Sequence, residues 1–275
     1  MNWHPGRRRG FQLLGALVVA YFGLAYLLLP ALWSHHEHEP GLASLPMVTR
    51  TSTGIPGDAL NVGLVGSEKD ILRALQAAGW FPADPVTFRS SIAIVGSVVL
   101  DRPYKDAPVS PLYYQGKREQ FAFEKPDGRS PDRRHHVRFW QALEAGTDGR
   151  PVWLGAATYD RGVGLSRYTG QVTHHIGPDI DAERDLLMHD LTAAGMLDAV
   201  FQISGVGPTL FGRNGGGDPY YTDGDIKISV LVQGCNQHAA TVTVLDNPPL
   251  VAMKNLAWDT IARALISVSA PTAKK

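Results

Sequence analysis

An apolar run near the N-terminus limits what this chain can fold into more than any other feature. Residues 11–33 are almost unbroken in their apolar character, and Gln12 is the only strongly polar member. A helix of this length crosses a hydrocarbon core of roughly 30 Å with some room to tilt. The sequence therefore predicts a membrane-spanning helix (a signal anchor) over 11–33, preceded by a basic segment over 1–10.

The charges on either side of this run predict its direction. Arg7, Arg8 and Arg9 lie directly before it, whereas the far side begins with a histidine- and glutamate-rich tract at 34–39. Basic residues next to a spanning helix favour the cytoplasmic side. We therefore expect a single-pass protein of the cell inner membrane, with a cytoplasmic N-terminus and the C-terminal domain outside the cytoplasm.

A cleaved signal peptide is the alternative interpretation of the same segment. The residues RRGF at 8–11 are similar to a twin-arginine signal, and GLA at 41–43 is an acceptable cleavage site. Signal sequences usually have an apolar region of about 7–15 residues, and this run is longer. Its length favours a retained anchor, and in both interpretations the remainder of the chain is exported.

Composition restricts the class of protein further. The 26 basic and 26 acidic residues cancel, which argues against nucleic acid as a partner, because nucleic-acid-binding domains usually carry a basic excess. The single cysteine, Cys235, excludes an internal disulfide and a cysteine-based zinc site. The exported part must therefore be held together by packing.

The region after the apolar run divides into a linker and one domain. Residues 34–58 contain three prolines without clear periodicity, which predicts a linker. Helical spacing predicts helices at 68–78, from Asp179 or Asp181 to 194, and at 255–268, and the middle of the chain is rich in strand patterns. We expect an α+β domain over 59–270, in which flanking helices pack on a mixed sheet.

Three segments within this domain carry more specific expectations. Residues 112–115 and 120–125 are predicted to pair as a hairpin across 116–119. The stretch 90–100 fits either a strand or a helix. Within the glycine-rich loop predicted at 205–224, the stretch 212–225 contains three aspartates, counting Asp225 just after the loop, but it matches neither a phosphate-binding loop nor a calcium loop, so a mobile surface loop is favoured over a cation site.

The densest charged motif is RRHHVRFW at 133–140. In a strand, alternate side chains share a face, so Arg134, His136 and Arg138 should lie together while His135 lies on the other face. Two permanent cations flanking an imidazole suit a phosphate or carboxylate group. The alternative is a solvent-facing strand whose arginines pair with nearby acids.

A second motif, THHIGPDIDAER at 173–184, brings imidazoles and carboxylates together where a strand ends and a helix begins. Such ligands are typical of a divalent metal site. Acids in a first helical turn also have a structural reason to exist, since they cap the helix and complement its dipole. The metal hypothesis uses six candidate ligands: His135, His136, His174, His175, Asp179 and Asp181.

Over residues 60–232 the chain resembles the C-terminal domain of LssY-type proteins. The resemblance is carried by NVGLVG at 61–66, AGW at 78–80, RPY at 102–104, PVSPL at 108–112, RHHVRFW at 134–140 and HHIGPDID at 174–181. In that family the domain often follows large membrane modules of the DedA or acid-phosphatase type. The resemblance implies a role in secretion or lipid handling at the cell envelope, but it does not imply phosphatase activity, because the acid-phosphatase motifs are absent from this chain.

These observations leave several functions open. The first is an envelope accessory or binding domain that recognises an anionic group on a phosphorylated lipid or glycan, with the membrane and an envelope lipid or membrane protein as partners. The second is a metal-dependent hydrolase in which a bound water is the nucleophile. A third is a docking module, which would present an exposed apolar patch. The sequence does not decide whether the chain is an enzyme.

Overall fold

The N-terminal segment is helical along its described length. The computed structural model describes residues 5–32, 39, 41–42, 44–83, 111–128, 133–234 and 241–269. Helix α1 (Pro5–Gly23) continues through a π-helical turn (Leu24–Leu28) into α2 (Leu29–Leu32). Over Arg9–Ala31 the mean hydropathy is 2.1 and no residue is buried. This helix is long and apolar enough to cross a membrane, as predicted, although a signal sequence shares both properties.

The rest of the described chain forms fifteen strands and three helices. In chain order they are β1 (Val48–Thr51), β2 (Pro56–Ala59), β3 (Val62–Val65), α3 (Glu68–Ala77), β4 (Phe81–Pro82), β5 (Leu112–Tyr114), β6 (Lys117–Arg118), β7 (Phe121–Pro126), β8 (Arg134–Leu143), β9 (Val152–Leu165), β10 (Val172–Ile176), α4 (Ile180–Ala193), β11 (Leu197–Ser204), β12 (Thr209–Arg213), β13 (Pro219–Thr222), β14 (Asp225–Leu231), β15 (Thr243–Val244) and α5 (Pro249–Ser269). The α+β class predicted from the sequence is confirmed.

Nine of these strands form the main sheet. Its order is β15-β11-β14-β3-β9-β8-β7-β4, and β10 pairs with the second half of β9. The pairs β14–β3 and β11–β15 are parallel and the others are antiparallel, so the sheet is mixed. A small sheet has the order β2-β1-β5-β6, and β12 and β13 form a separate hairpin.

Each face of the main sheet covers its own apolar core. On one face, α3 and α4 pack against side chains such as Val137 and Phe139 of β8. On the other face, the small sheet contributes Leu112 and Tyr114, which pack near Trp140. The domain therefore has three layers, with helices on one side of the main sheet and the small sheet on the other.

The two helices on the main sheet begin at side-chain caps. At α3 the Ser67 hydroxyl accepts a hydrogen bond from the Asp70 N–H, and the Asp70 carboxylate accepts one from the Ser67 N–H. At α4 the Asp179 carboxylate accepts a hydrogen bond from the Ala182 N–H at 3.0 Å. These are the first two predicted helices, and the third corresponds to α5.

The packed region extends into the segment for which a linker was predicted. Strands β1 and β2 lie within 34–58, and Leu42 is completely buried in the core beneath the small sheet. The carboxylate of Glu39 accepts hydrogen bonds from the Thr147 N–H at 2.8 Å and from the Thr147 hydroxyl at 2.9 Å. The contacts of the domain therefore reach back to Glu39.

Two predictions about local structure are wrong. The segments 112–115 and 120–125 do not pair with each other, because β5 pairs with β1 and β6 in the small sheet while β7 pairs with β8 in the main sheet. The glycine-rich segment 205–224 contains the β12–β13 hairpin and the fully buried Asp218. Strand β5 pairs with β1, which lies far along the chain and which short patterns do not encode, whereas β12 and β13 pair locally. The prediction for 90–100 lies outside the described residues.

Candidate functional site

A cavity of about 180 Å³ lies between the main sheet and the small sheet. Its walls come from β8 and β9, from β1, β2 and β5, and from the β9–β10 and β12–β13 hairpins. Exposed Ser52 and Thr53 contribute to the lining, as do buried His136 and Thr158. The cavity therefore connects solvent to buried polar side chains, which is the usual character of a small-molecule site.

One wall of the cavity includes two members of the row of β8 side chains that the sequence singles out, which we call the cationic row: Arg134, His136 and Arg138. His136 and Arg138 line the cavity and are 4% and 6% exposed, respectively. Their neighbours Val137 and Phe139 point into the core beneath the helices, as strand alternation predicts. The row is therefore not solvent-facing. It lies on the face covered by the small sheet.

Within this row, Arg134 is committed to acids of its own chain. Its guanidinium donates to Glu124 at 2.9 Å and to Asp160 at 3.1 Å, and another of its nitrogens lies 3.3 Å from His174 Nε2. These contacts hold the arginine in one orientation beside the cavity. Its positive charge therefore contributes to the field of the cavity, while most of its donors are already used.

His136 differs from Arg134, because its Nε2 is buried and has no hydrogen-bond partner among the residues that the structure describes. Burial lowers the pKa of His136 well below its usual 6.5, and the nearby charges of Arg138, Arg134 and His174 lower it further. The imidazole is therefore neutral at pH 7. A buried polar nitrogen without a partner costs free energy, so this atom is where a bound ligand would stabilise the site most.

Asp58 on β2 brings a carboxyl group to the same cavity. Burial raises the pKa of Asp58, the charge of Arg138 opposes this shift, and the charge of Asp160 adds to it. Asn214, which also lines the cavity, makes a side-chain hydrogen bond to Asp58. The cavity thus combines a cationic side with oxygen acceptors, so it suits a ligand that has both an anionic group and hydroxyl groups.

The two histidines of β10 lie in different environments. His174 lines the cavity, and its Nδ1 lies 3.6 Å from Asp160 Oδ2. His175 contacts Asp218 instead, through its Nδ1 at 2.8 Å, and its ring lies against Gly164, where a β-carbon would come within 2.4 Å of Nε2. Gly164 therefore leaves room for this ring. Only His174 belongs to the cavity.

His135 lies on the opposite face of the sheet. Its Nδ1 is 2.7 Å from a carboxylate oxygen of Glu183 on α4, and its ring lies beside Trp80 and Tyr159. These contacts join β8 to the helical layer. Consequently the pair His135–His136 does not act as a unit, since its members face different layers.

The acids at the start of α4 belong to a structural cluster that we call the acidic network: Asp179, Asp181, Arg184, Asp223 and Asp225. The Asp181 carboxylate accepts from the Thr222 hydroxyl at 2.6 Å and from the Asp223 N–H at 2.7 Å. Burial raises the pKa of Asp181 to about 6, Arg184 opposes this shift, and Asp223 adds to it. Both oxygens of Asp181 are used in fastening α4 to the strand connection before β14.

Arg184 is the centre of the acidic network. Its two terminal nitrogens donate to the two carboxylate oxygens of Asp223 at 2.7 and 2.9 Å, and one of them also donates to the carbonyl of Asp225 at 3.1 Å. Asp225 in turn forms an ion pair with Lys254 of α5 at 2.6 Å. The network therefore joins α4, β14 and α5.

The six candidate metal ligands are thus divided among separate places. His136 and His174 reach the cavity, His135 and His175 contact acids elsewhere, and Asp179 and Asp181 serve the acidic network. In the part of the chain that the structure describes, no three His, Cys, Asp or Glu side chains are grouped as metal ligands. The metal site stays a prediction, and its proposed ligand set does not assemble in one place.

Sequence reasoning missed the partners of the cationic row. Asp58 was assigned to a linker, and Asp160 was overlooked although it pairs with Arg134 in the register of β8 and β9. Thr158, opposite His136, also lines the cavity. A signal for the last two was available, because antiparallel pairing of the two predicted strands places alternate residues of β9 on the cationic face.

Comparison with known proteins gives one match. The model of the LssY C-terminus family matches residues 42–226, which is more than half of the chain. This range contains every residue that lines the cavity, whereas the N-terminal helix and α5 lie outside it. No curated protein and no solved structure matches the chain.

Proposed function

The chain belongs to the LssY C-terminus family, and we propose that it is a membrane-anchored binding domain of the cell envelope whose cavity recognises a phosphorylated lipid or glycan group. The observation that carries this proposal is the buried His136 Nε2, which has no partner among the described residues and lies in the cavity beside Arg138. An anionic oxygen placed there would accept a hydrogen bond from the Nε2–H of the neutral imidazole and pair with the arginine.

The acids of the cavity refine the class of ligand. Asp160 is paired with Arg134 at 3.1 Å, so its carboxylate is already engaged within the chain. Asp58 and Asn214 supply further polar groups on the small-sheet side and at the β12–β13 turn. Such groups suit the hydroxyls of a glycerol or sugar unit that carries the anionic group. A multivalent anion without hydroxyl groups would contact only part of the residues that line the cavity.

The size of the cavity supports a small group. A volume of about 180 Å³ is below the range of roughly 300–1,000 Å³ that is typical of sites for drug-sized ligands. A single headgroup or sugar phosphate matches this space better than a whole lipid or an oligosaccharide. The remainder of such a ligand would extend past Ser52 and Thr53 into solvent or membrane.

The location is proposed from the N-terminal helix. Three arginines precede a helix that is long and apolar enough to span a membrane. By the positive-inside rule, the N-terminus lies in the cytoplasm and the domain lies outside it, attached to the inner membrane of the cell. A retained anchor keeps the cavity close to the lipids and membrane-linked glycans that we propose as ligands.

The test is calorimetric titration of the full chain in detergent micelles with inorganic phosphate, glycerol phosphate and glucose 1-phosphate, with glycerol as the uncharged control. We expect the phosphate esters to bind and glycerol not to bind. Replacing Arg138→Gln should weaken ester binding about 10- to 100-fold, because a hydrogen bond to a charged group contributes roughly 1.5–3 kcal/mol.

The matched control is Arg118→Gln, which removes an exposed arginine on β6 outside the cavity lining. It should leave the affinity unchanged. If the wild-type chain binds none of the three phosphates, or if folded Arg138→Gln binds the esters as tightly as the wild type, the cavity is not an anion site and the proposal fails.

A further inference from the structure

The β9–β10 hairpin exposes apolar side chains beyond the edge of the main sheet. Strand β8 pairs with β9 only as far as Asp160, so from residue 161 onward β9 pairs with β10 alone in the described chain. Leu165 and Val172 are direct partners in this register and are 62% and 66% exposed. Val163 and Tyr168 are also exposed. Four large apolar side chains on a projecting hairpin form a surface that favours an interaction.

The exposed charges of the hairpin itself are basic, and the acid nearest to Arg167, Asp218 at 3.8 Å, is fully buried. Residues 161–178 include two arginines and no acidic residue. Arg161 is exposed, and the side chain of Arg167 is 57% exposed. The neighbouring β12–β13 hairpin adds the exposed Arg213, and its backbone carbonyl at Gly216 accepts a hydrogen bond from the Arg167 N–H. Leucine, valine and tyrosine surrounded by arginines are typical of surfaces that lie on anionic lipid headgroups.

The same hairpin forms part of the cavity. Ser166, Thr169 and Gln171, which lie in the turn between β9 and β10, line it together with Thr173. A membrane that bound the tip of the hairpin would therefore also cover this side of the cavity. Lipid headgroups of that membrane would then reach the cationic row without leaving the bilayer.

The attachment of the domain keeps it near a membrane. Glu39, which bonds to Thr147 of the domain, is the seventh residue after Leu32 at the end of the N-terminal helix. Seven residues span at most about 25 Å. A tether this short holds exposed surfaces of the domain at high effective concentration relative to the bilayer. The short tether therefore favours the membrane, rather than a soluble protein, as the partner that the hairpin surface contacts.

We propose that the tip of the β9–β10 hairpin, through Leu165, Tyr168 and Val172, inserts into the headgroup region of an anionic bilayer and directs the cavity toward lipid headgroups. This inference rests on the membrane anchorage in the proposed function. It specifies the ligand source as lipid within the bilayer, and it assigns a membrane contact to residues outside the cationic row.

The experiment places an environment-sensitive fluorophore on single cysteines of the full chain. Cys235→Ser removes the native thiol, and Leu165→Cys and Val172→Cys provide two alternative labelling positions on the hairpin. The matched control is Gln76→Cys, an exposed residue of α3 in the helical layer on the opposite face of the sheet. Each labelled chain is reconstituted into vesicles of phosphatidylglycerol and phosphatidylcholine, with and without a quencher attached to the lipid chains.

We expect labels at positions 165 and 172 to shift to shorter emission wavelengths in vesicles and to lose emission to the lipid-borne quencher. The label at position 76 should show neither effect. Arg167→Glu should reduce the quenching at position 165, and vesicles of phosphatidylcholine alone should reduce it further, since both changes remove the attraction between arginines and anionic headgroups.

Three results overturn the inference in distinguishable ways. If the chain floats with the vesicles but the hairpin labels emit as in water, the anchorage holds and the hairpin does not contact the bilayer. A blue shift without quenching by lipid would show contact with protein, such as a second copy of the chain. If the chain does not float with the vesicles, the anchorage itself fails, and the proposed location fails with it.

Discussion

The cavity and the acidic network are both buried polar regions, and they differ in how completely their groups are paired. In the acidic network, Arg184 binds both carboxylate oxygens of Asp223, and both oxygens of Asp181 accept hydrogen bonds. In the cavity, His136 Nε2 has no partner among the described residues, and about 180 Å³ of space adjoins it. A satisfied cluster without space stabilises a fold, whereas an unsatisfied one beside space can bind a ligand.

This contrast separates two motifs that are equally suggestive in the sequence. Both combine histidine or arginine with nearby acids, and both lie where a strand meets another element. The difference arises from the surrounding strands. Strands β13 and β14 contact the acidic network directly, whereas the cavity separates the small sheet from the cationic row. The predictions below test whether stability depends on the first region and ligand binding on the second.

The largest expected effect is on stability, from Arg184→Met. The Arg184 side chain is 3% exposed, and its removal leaves the partly buried carboxylates of Asp181 and Asp223 without their counter-charge. Breaking a buried pair in this way costs roughly 3–5 kcal/mol. We expect the free energy of unfolding, measured by urea denaturation of the full chain in micelles, to fall by about this amount.

The pH dependence of this loss has a defined sign. The pKa of Asp181 in the folded chain is raised from 3.8 to about 6, and without Arg184 it should rise further. A raised carboxyl pKa destabilises the fold above that pKa, and the cost disappears as the pH falls through it. The deficit of Arg184→Met should therefore shrink between pH 7 and pH 5. Arg118→Met, an exposed control, should change stability by less than about 0.5 kcal/mol; an equal loss in both variants would contradict the structural role.

The second-largest expected effect is on the affinity of the cavity for an anion, which should depend on pH through the protonation of His136. His136 has a lowered pKa in the free chain because of burial and of the charges of Arg138, Arg134 and His174. A bound anion favours the charged imidazole, so binding takes up a proton and affinity should rise as the pH falls. One coupled proton gives at most about a tenfold change per pH unit. Sulfate is the suitable probe, since its charge is constant over pH 5–8.

Two variants separate the groups responsible for this dependence. His136→Gln should flatten the pH profile of sulfate affinity, measured by calorimetry. Asp58, whose pKa is raised, also takes up a proton on acidification and contributes with the same sign, so Asp58→Asn should remove what remains. Arg118→Gln should retain the wild-type profile. Affinity that falls on acidification would show that neither group faces the anion.

Local patterns predicted much of the fold. Strand alternation placed Arg134, His136 and Arg138 on one face, and helical spacing predicted the helices that the structure shows as α3 and α4, because both signals depend only on neighbouring residues. The strand partners of β5 and the burial of Leu42 escaped prediction, since they depend on contacts with residues far along the chain. Pairing of this kind is not determined by the residues of one segment.

The candidate site was predictable to the same extent. The cationic row follows from alternation within one strand, but the cavity exists only because the small sheet brings Asp58 opposite to it. The acids at the start of α4 illustrate the opposite case. Their residue types fitted either a metal site or helix capping, and only the positions of Arg184, Thr222 and Asp223 show that they are paired within the fold.

The smallest expected effect is on stability, and it comes from substitutions at Asp179 in the acidic network. Asp179 caps α4 by accepting a hydrogen bond from the Ala182 N–H at 3.0 Å, and it also accepts one from the Tyr221 hydroxyl at 3.2 Å. Asp179→Ala should lower the free energy of unfolding by about 1 kcal/mol, the usual cost of a lost helix cap. Asp179→Asn retains the capping oxygen and should recover most of this loss.

Neither substitution at Asp179 should alter the affinity for glycerol phosphate, since this side chain does not line the cavity. Urea denaturation and calorimetry on the same preparations measure the two quantities independently. If Asp179→Ala weakened ester binding as strongly as Arg138→Gln, the start of α4 would be part of the binding site. The division between a paired structural network and an incompletely paired cavity would then be wrong.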